Sequence, residues 1–436
     1  MRRLSPFLPA LLLAALPLWS QAPEAAAESW SLHGQATVVT QAHGAFTSPY
    51  QGPHSLSPAA ESATSFTTTL MLGWRPWQGG ELYLDGEGAA GKGVGSVLGV
   101  AGAPNGETYR VGNPEFRATV ARVWLRQTFD LGGDASKVDP DAHQLGGSRD
   151  ARRLVLHLGK FSVMDVFDAN TYAHDPRSQF LNWTLMGHGA WDYPADTRGY
   201  TWGGATELYW DAWAFRWARF AEPLEANQLE MDHGLARAHG DVLEVEHDHD
   251  LGGRPGVVRV MVFRNTTRMG DYRLSLAEQP GAPEVTATRA YGREKHGWGL
   301  NLEQALTAEL GTFARWSWSD GRTETWAFTE VDRSLSGGLS LKGGGWGRPQ
   351  DRLGAAFVQN GLSPDHQAYL AAGGLGFLLG DGRLNYSPER ILETYYAAAL
   401  GPFFTLSLDL QRIANPGHNR DRGPVSLYAV RVHVQF

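Results

Sequence analysis

The chain is expected to fold as an all-β, antiparallel up-and-down barrel that crosses a membrane, with about sixteen strands and room for eighteen. Three observations predict this. Short segments of alternating apolar and polar residues recur from Trp30 to Phe436. The connections between them alternate between short and long. The chain beyond its first residues has no run of about eighteen apolar residues, which excludes a helical span, and only a closed barrel then pairs every backbone polar group within a bilayer.

The amino terminus differs in character. Met1-Arg2-Arg3 is basic, an apolar run comes next through Phe7, Leu8, Leu11, Leu12, Leu13, Leu16 and Leu18, and Ala25-Ala26-Ala27 offers small residues for cleavage. This is the layout of a secretory signal peptide. It is expected over residues 1–27, with the barrel over 28–436.

The strands come in order. Phe66, Leu70, Leu72 and Trp74 alternate with Thr67, Thr69 and Gly73; Leu82 and Leu84 alternate with Glu81, Tyr83, Asp85 and Glu87. Val123, Leu125 and Phe129 alternate with Arg122, Trp124, Arg126 and Thr128; Leu154, Leu156 and Leu158 alternate with Arg153, Val155 and His157. Val258, Val260 and Val262 alternate with Arg259, Met261 and Phe263, and Leu406, Leu408 and Leu410 with Thr405, Ser407, Asp409 and Gln411. The last segment is the clearest. Tyr428, Val430, Val432, Val434 and Phe436 share one face, and Ala429, Arg431, His433 and Gln435 the other. Side chains alternate across a strand, so one face meets lipid and the other a wet interior. By this parity Glu81, Asp85, Arg122, Arg126, Arg259, Arg315 and Arg431 line the pore, with Glu87 beside them. The same charges facing lipid would cost about 2–4 kcal/mol each at mid-membrane.

Short connections include 76–80, 211–212, 251–255, 345–349 and 401–402; long ones include 89–115, 221–240, 266–295 and 360–390. Short turns on one side and long loops on the other are the habit of outer-membrane barrels, with both termini on the short-turn side. The segment from Leu131 to Arg152 is long where a short turn is due. Thr325–Val331 and Leu375–Leu379 also look like strands, but the alternation of connections assigns them to outer loops.

Composition agrees with an exported barrel. There are no cysteines, 19% charged residues, 53 glycines and 16 tryptophans, the last suited to interfacial girdles. The net charge of -8 excludes nucleic acid as a partner, since phosphates demand a basic surface. Sixteen to eighteen strands leave an aqueous channel rather than a packed centre.

The richest polar and aromatic segment comes after Gly159. It contains Asp168, Asn170, Asp175, Arg177, Asn182, Trp183, Trp191, Asp192 and Arg198. A loop this long and polar has to be held, and it is expected to fold into the lumen over 162–198 and narrow it, so that pore width and lining groups set selectivity. Asp168-Ala169-Asn170-Thr171-Tyr172-Ala173-His174-Asp175-Pro176-Arg177 and Trp191-Asp192-Tyr193-Pro194-Ala195-Asp196-Thr197-Arg198-Gly199-Tyr200 resemble the carbohydrate-selective porins of the OprB type. So do Phe46-Thr47-Ser48-Pro49-Tyr50, Gly102-Ala103-Pro104-Asn105-Gly106-Glu107 and Tyr369-Leu370-Ala371-Ala372-Gly373-Gly374-Leu375-Gly376. The resemblance covers nearly the whole chain after the signal segment. It implies passive uptake of sugars through a sixteen-strand outer-membrane channel, without cofactor.

The residue chemistry suits that class of solute. Trp and Tyr stack on the apolar faces of a sugar, while Arg, Asp and Asn bond its hydroxyls. The nine loop residues named above are therefore the substrate-binding candidates. Four of them have a plainer reading: Trp183 and Trp191 as packing, Asp175 with Arg177 as a pair that holds the loop. Glu244, Glu246, His247, Asp248, His249 and Asp250 resemble metal ligands at first, but Glu244, Glu246 and Asp248 face opposite to His247, so a solvated strand end is the better reading and no metal is expected. Trp316, Trp318 and Trp326 are expected in a girdle or wall. Expected partners besides sugars are outer-membrane lipid, lipopolysaccharide and, through the strand ending at Phe436, the barrel assembly machinery, with the protein as monomer or trimer. The alternatives are a general or ion-selective porin and a barrel enzyme; no Gly-x-Ser-x-Gly elbow supports the latter.

Overall fold

The computed structural model describes residues 27–108, 115–281 and 283–436. Apart from Ala27, the expected signal segment lies outside the described residues.

Sixteen long strands close one barrel. They are β1 (Trp30–His43), β2 (Glu61–Trp77), β3 (Gly80–Gly91), β4 (Arg117–Val138), β5 (Gly147–Phe161), β6 (Thr201–Trp210), β7 (Trp213–Pro223) and β8 (His239–Asp250). The second half comprises β9 (Pro255–Thr267), β10 (Arg293–Ala305), β11 (Leu310–Ser319), β12 (Arg333–Gly343), β13 (Arg348–Gly361), β14 (Glu389–Ala399), β15 (Phe404–Ala414) and β16 (Val425–Gln435). Each strand pairs with its chain neighbours, and β16 returns antiparallel to β1, from Gln35 opposite Gln435 to His43 opposite Leu427. Closure leaves no sheet edge in the bilayer. A two-residue strand, Met231–Asp232, pairs only with the outer end of β7. Among the described residues no helix is long and apolar enough to cross a membrane.

The two faces of the wall divide as the alternation requires. In β15 Leu408 is 58% exposed and the adjacent Asp409 6%. Outward aromatics gather at the short-turn end, where Trp30, Trp74, Trp77, Trp210, Trp213, Trp346 and Phe403 are exposed. Toward the loop end Phe116, Trp202 and Trp316 form the opposite belt. Amphipathic rings at both interfaces fix the barrel's depth in a bilayer. Trp326 belongs to neither belt: it is buried in the loop after β11, and its indole N–H donates to the Pro223 carbonyl at 2.8 Å.

Thr325–Val331 and Leu375–Leu379 form no strand and lie in loops, so the barrel stops at sixteen. The long connection from Leu131 to Arg152 is mostly not a loop. β4 and β5 stay paired far beyond β3, from Asp130 opposite Arg153 to Val138 opposite Gly147. Side chains on both faces of this arm are largely exposed, so the apolar alternation that marks a membrane-facing strand disappears. The interior is filled by the loops, above all by residues 162–200, whose aromatic side chains form the core that a soluble domain would place between layers.

Candidate functional site

The segment between β5 and β6 turns into the lumen through a short 3-10 turn (Val163–Asp165) and a single helical turn (Trp183–Met186). It is held by strand residues from around the wall. Asp168 is the main anchor: its carboxylate accepts from Arg315 Nε at 2.9 Å and Asn301 Nδ2 at 2.6 Å, both on facing strands. Burial opposes ionisation of Asp168, but Arg315 and then His188 outweigh it and hold the carboxyl below its usual range. Burial in turn pushes His188 down to about 4, so its imidazole is neutral at ordinary pH. Glu244 accepts the backbone N–H of Asp168 at 3.0 Å. Farther along the loop, Glu393 accepts the N–H groups of Leu181 and Asn182, and Arg431 donates to the carbonyls of Pro176 and Gln179. Asp192 pairs with Lys295 at 3.0 Å and accepts the N–H groups of Trp326 and Ala327, which ties this loop to the one after β11. A buried polar group is stable only when its partners are met, and these strand side chains meet them.

The candidate residues therefore separate into two groups. Asp168, Asn170, Asn182, Trp191 and Asp192 are buried in contacts that hold the loop. Asn170 donates to Asn301 at 2.8 Å, Asn182 caps the helical turn at Thr184, and Trp191 packs on Phe167 and Tyr193. Asp175, Arg177, Trp183 and Arg198 reach a water-accessible cavity of about 380 Å³. There Arg177 Nε donates to Glu107 at 3.0 Å, and Arg177 Nη1 stands 3.5 Å from Asp175. The Trp183 ring stacks on Phe328, centroids 5.3 Å apart and planes 9° from parallel, while its N–H donates to the Asn105 carbonyl at 2.8 Å.

The charged strand residues also face inward. Arg122 spans Asp165 and Asp85, at 2.7 and 2.9 Å, and lines this cavity. Arg126 and Glu81 pair at the wall of a second cavity of about 630 Å³ nearer the short turns. Asp85 is fully buried behind Arg122, and Arg315 and Arg431 lie under the loop. Arg259 sits in a ladder that runs along the wall: His157 to Glu207 at 2.8 Å, Glu207 to Arg216 at 2.7 Å, Arg216 to Glu244 at 3.0 Å and to Glu246 at 3.1 Å, and Glu246 to Arg259 at 2.5 Å. Glu244 and Glu246 thus occupy the lumen wall, not a solvated strand end. Their parity was legible, but their partner Arg216 stands on β7, where one-strand reasoning could not find it. Glu207, Arg216, Lys295, Asn301 and Glu393 are further strand residues that sequence reasoning missed, and inward parity beside a long polar loop was the available signal; Glu107, also missed as a site residue, lies in the connection after β3 and has no strand parity to show it.

A closed barrel, an in-folded loop and a charged, aromatic-lined passage make up the site. The family description "Carbohydrate-selective porin, OprB family" matches residues 54–436. The chain belongs to that family. The structure of OprB from Pseudomonas putida, at high pH, shares the porin's fold with a TM-score of 0.71 over 94% of each chain at 17% identity. Among curated sequences, porin AaxA of Chlamydia caviae is 28% identical over 137 residues, 31% of this chain and 26% of that protein. Porin AaxA of Chlamydia abortus matches to the same extent, again 28% over 137 residues. The match therefore spans about a quarter of the length of these relatives. Family and fold place this porin in the bacterial outer membrane and are those of a channel.

Proposed function

We propose that this porin carries neutral mono- or oligosaccharides down their gradient through the lumen, and that residues on the 162–200 loop set which solutes pass. The observation that supports this reading is the lining of the narrowed passage. Arg177, Glu107 and Asp175 offer donors and acceptors beside the Trp183 ring, within a cavity open to water. Sugar hydroxyls both donate and accept, and the C–H faces of a pyranose suit an aromatic plane. Opposite charges held in pairs bond hydroxyls without retaining ions, and binding weak enough to release is what conduction needs. No covalent step or cofactor enters.

Asp175, Arg177, Trp183 and Arg198 are the residues proposed to meet solute; Asp168, Asn170, Asn182, Trp191 and Asp192 act through the loop they hold. Residues 1–27 are proposed to direct export, and the strand ending at Phe436 to be read by the barrel assembly machinery, with lipid and lipopolysaccharide around the outer wall. Swelling of proteoliposomes tests the reading. Neutral sugars should enter faster than charged solutes of the same size; equal rates for both would support a general diffusion porin instead.

A further inference from the structure

The β4–β5 hairpin is built to return into the barrel from the short-turn end. Gly80 at the start of β3 lies opposite Gln127, so β4 beyond that point is free of β3 and pairs with β5 alone. Its register shifts between Asp130 and Gly132 and again between Gly132 and Ala135. Gly132 and Gly133 take φ of 93° and 90°, a region that L side chains avoid. Bulges of this kind bend a strand and redirect its next residues. The tip, residues 139–146, then enters the lumen. Leu145 is buried, and its carbonyl accepts from Arg75 at 3.3 Å. Gly146 and Glu28 exchange hydrogen bonds at 2.9 Å. His143 Nε2 lies 2.8 Å from Asp85 Oδ2, well inside β3, with its ring 5.6 Å from Tyr83.

The tip stands at the divide between the two cavities. Asp141 and His143 line the outer one with Arg122 and Arg177, while Gln144 and Leu145 line the inner one. Asp165 of the 162–200 loop borders both. The passage is thus bounded at one level by a loop from outside and a hairpin from below.

We infer that residues 139–146 are a second constriction element, and that His143 is a specificity-determining residue that bonds sugar hydroxyls as they leave the 162–200 loop. The inference rests on the channel reading above. Asp85 holds the ring by one nitrogen, which leaves the other nitrogen and the ring edge for solute. Arg122 also binds Asp85, so the wall keeps its pairing when the imidazole is removed.

Two variants test this on the full-length protein in planar bilayers. Deleting residues 140–145 joins Asp139 to Gly146 between the paired Val138 and Gly147, which makes an Asp-Gly two-residue turn suited to a hairpin. Its single-channel conductance in potassium chloride should rise above the parent value, and unchanged conductance overturns the constriction. His143→Ala should weaken block by glucose and maltose about fivefold, the worth of one hydrogen bond, and His143→Gln should recover part of it. Unchanged block in His143→Ala overturns the role of the imidazole. If the truncated barrel does not insert, the conductance of His143→Ala decides alone: a rise supports the constriction and no change overturns it. If sugars block neither parent nor variant, the sugar-passage reading fails, and the potassium chloride conductance still tests the constriction.

Discussion

Arg315 Nε stands 2.9 Å from Asp168 Oδ1, and both side chains are buried. This pair bolts the lumen loop to β11 across the barrel from where the loop begins. Removing Arg315 leaves the Asp168 carboxylate buried without its cation, held only by the neutral donors Asn301 and the His188 N–H. Arg315→Met should therefore cost about 3–5 kcal/mol of loop or barrel stability. It should also widen the channel, read as higher and noisier single-channel conductance. Because the Asp168 carboxyl is held below its usual range, the contribution of the pair is present above the unfolded pKa and is lost as pH falls through the lower folded value. Urea unfolding in detergent at stepped pH, parent against variant, checks the sign.

Arg177 and Trp183 face the cavity, and their removal should leave the barrel intact. Trp183→Ala should weaken sugar block by roughly 2–10-fold, the range that aromatic contacts of about 0.5–1.5 kcal/mol represent. Arg177→Ala should weaken block and also free Glu107. Titrating block of the open channel with maltose reads both; loss of the folded barrel instead would mean that these side chains hold the scaffold.

Glu107 gives a pH signature. Burial pushes its carboxyl up to about 6, against the pull of Arg177 and the hydrogen bond from Thr67. As pH falls through that value the carboxylate gains a proton, Arg177 keeps only Asp175 as a counter-charge, and the passage becomes more positive. The cation-to-anion permeability ratio should drop between about pH 7 and 5. Reversal potentials across a salt gradient measure it. Glu107→Gln should show the low ratio throughout and remove most of the step.

The outer wall should answer to charge by depth. Val260 is 50% exposed in the middle of β9, next to the inward Arg259. Val260→Arg should destabilise the barrel by about 2–4 kcal/mol if its level is near the bilayer centre. Equilibrium urea unfolding in lipid vesicles measures the loss, and a loss below about 1 kcal/mol would move this level to the interface.

The barrel was legible because lipid imposes a period of two on each spanning strand, as Val430, Arg431 and Val432 show. The strand count came from the alternating connections, and the in-folded loop from its length and polarity. The arm from Asp130 to Val138 was not legible as strand, because water on both sides imposes no apolar face there. Site residues were half legible for a related reason. Asp168 and Arg177 belong to the same polar class and the same loop, yet one is buried against Arg315 and the other faces water. That difference depends on which strands stand opposite, and strand placement around a barrel is a long-range property. Lys295, Asn301 and Glu393 were missed for the same cause: each looks like an ordinary inward polar residue until the loop descends on it.

The most direct measurement of the central claim is a sugar-by-sugar blocking series in a planar bilayer, run on the parent and on Arg177→Ala. Stepwise conductance should fall as a bound class of sugar is added, by an amount that depends on the sugar, and the variant should need a higher concentration for the same block. Open steps that no mono- or oligosaccharide reduces, in either protein, would contradict it.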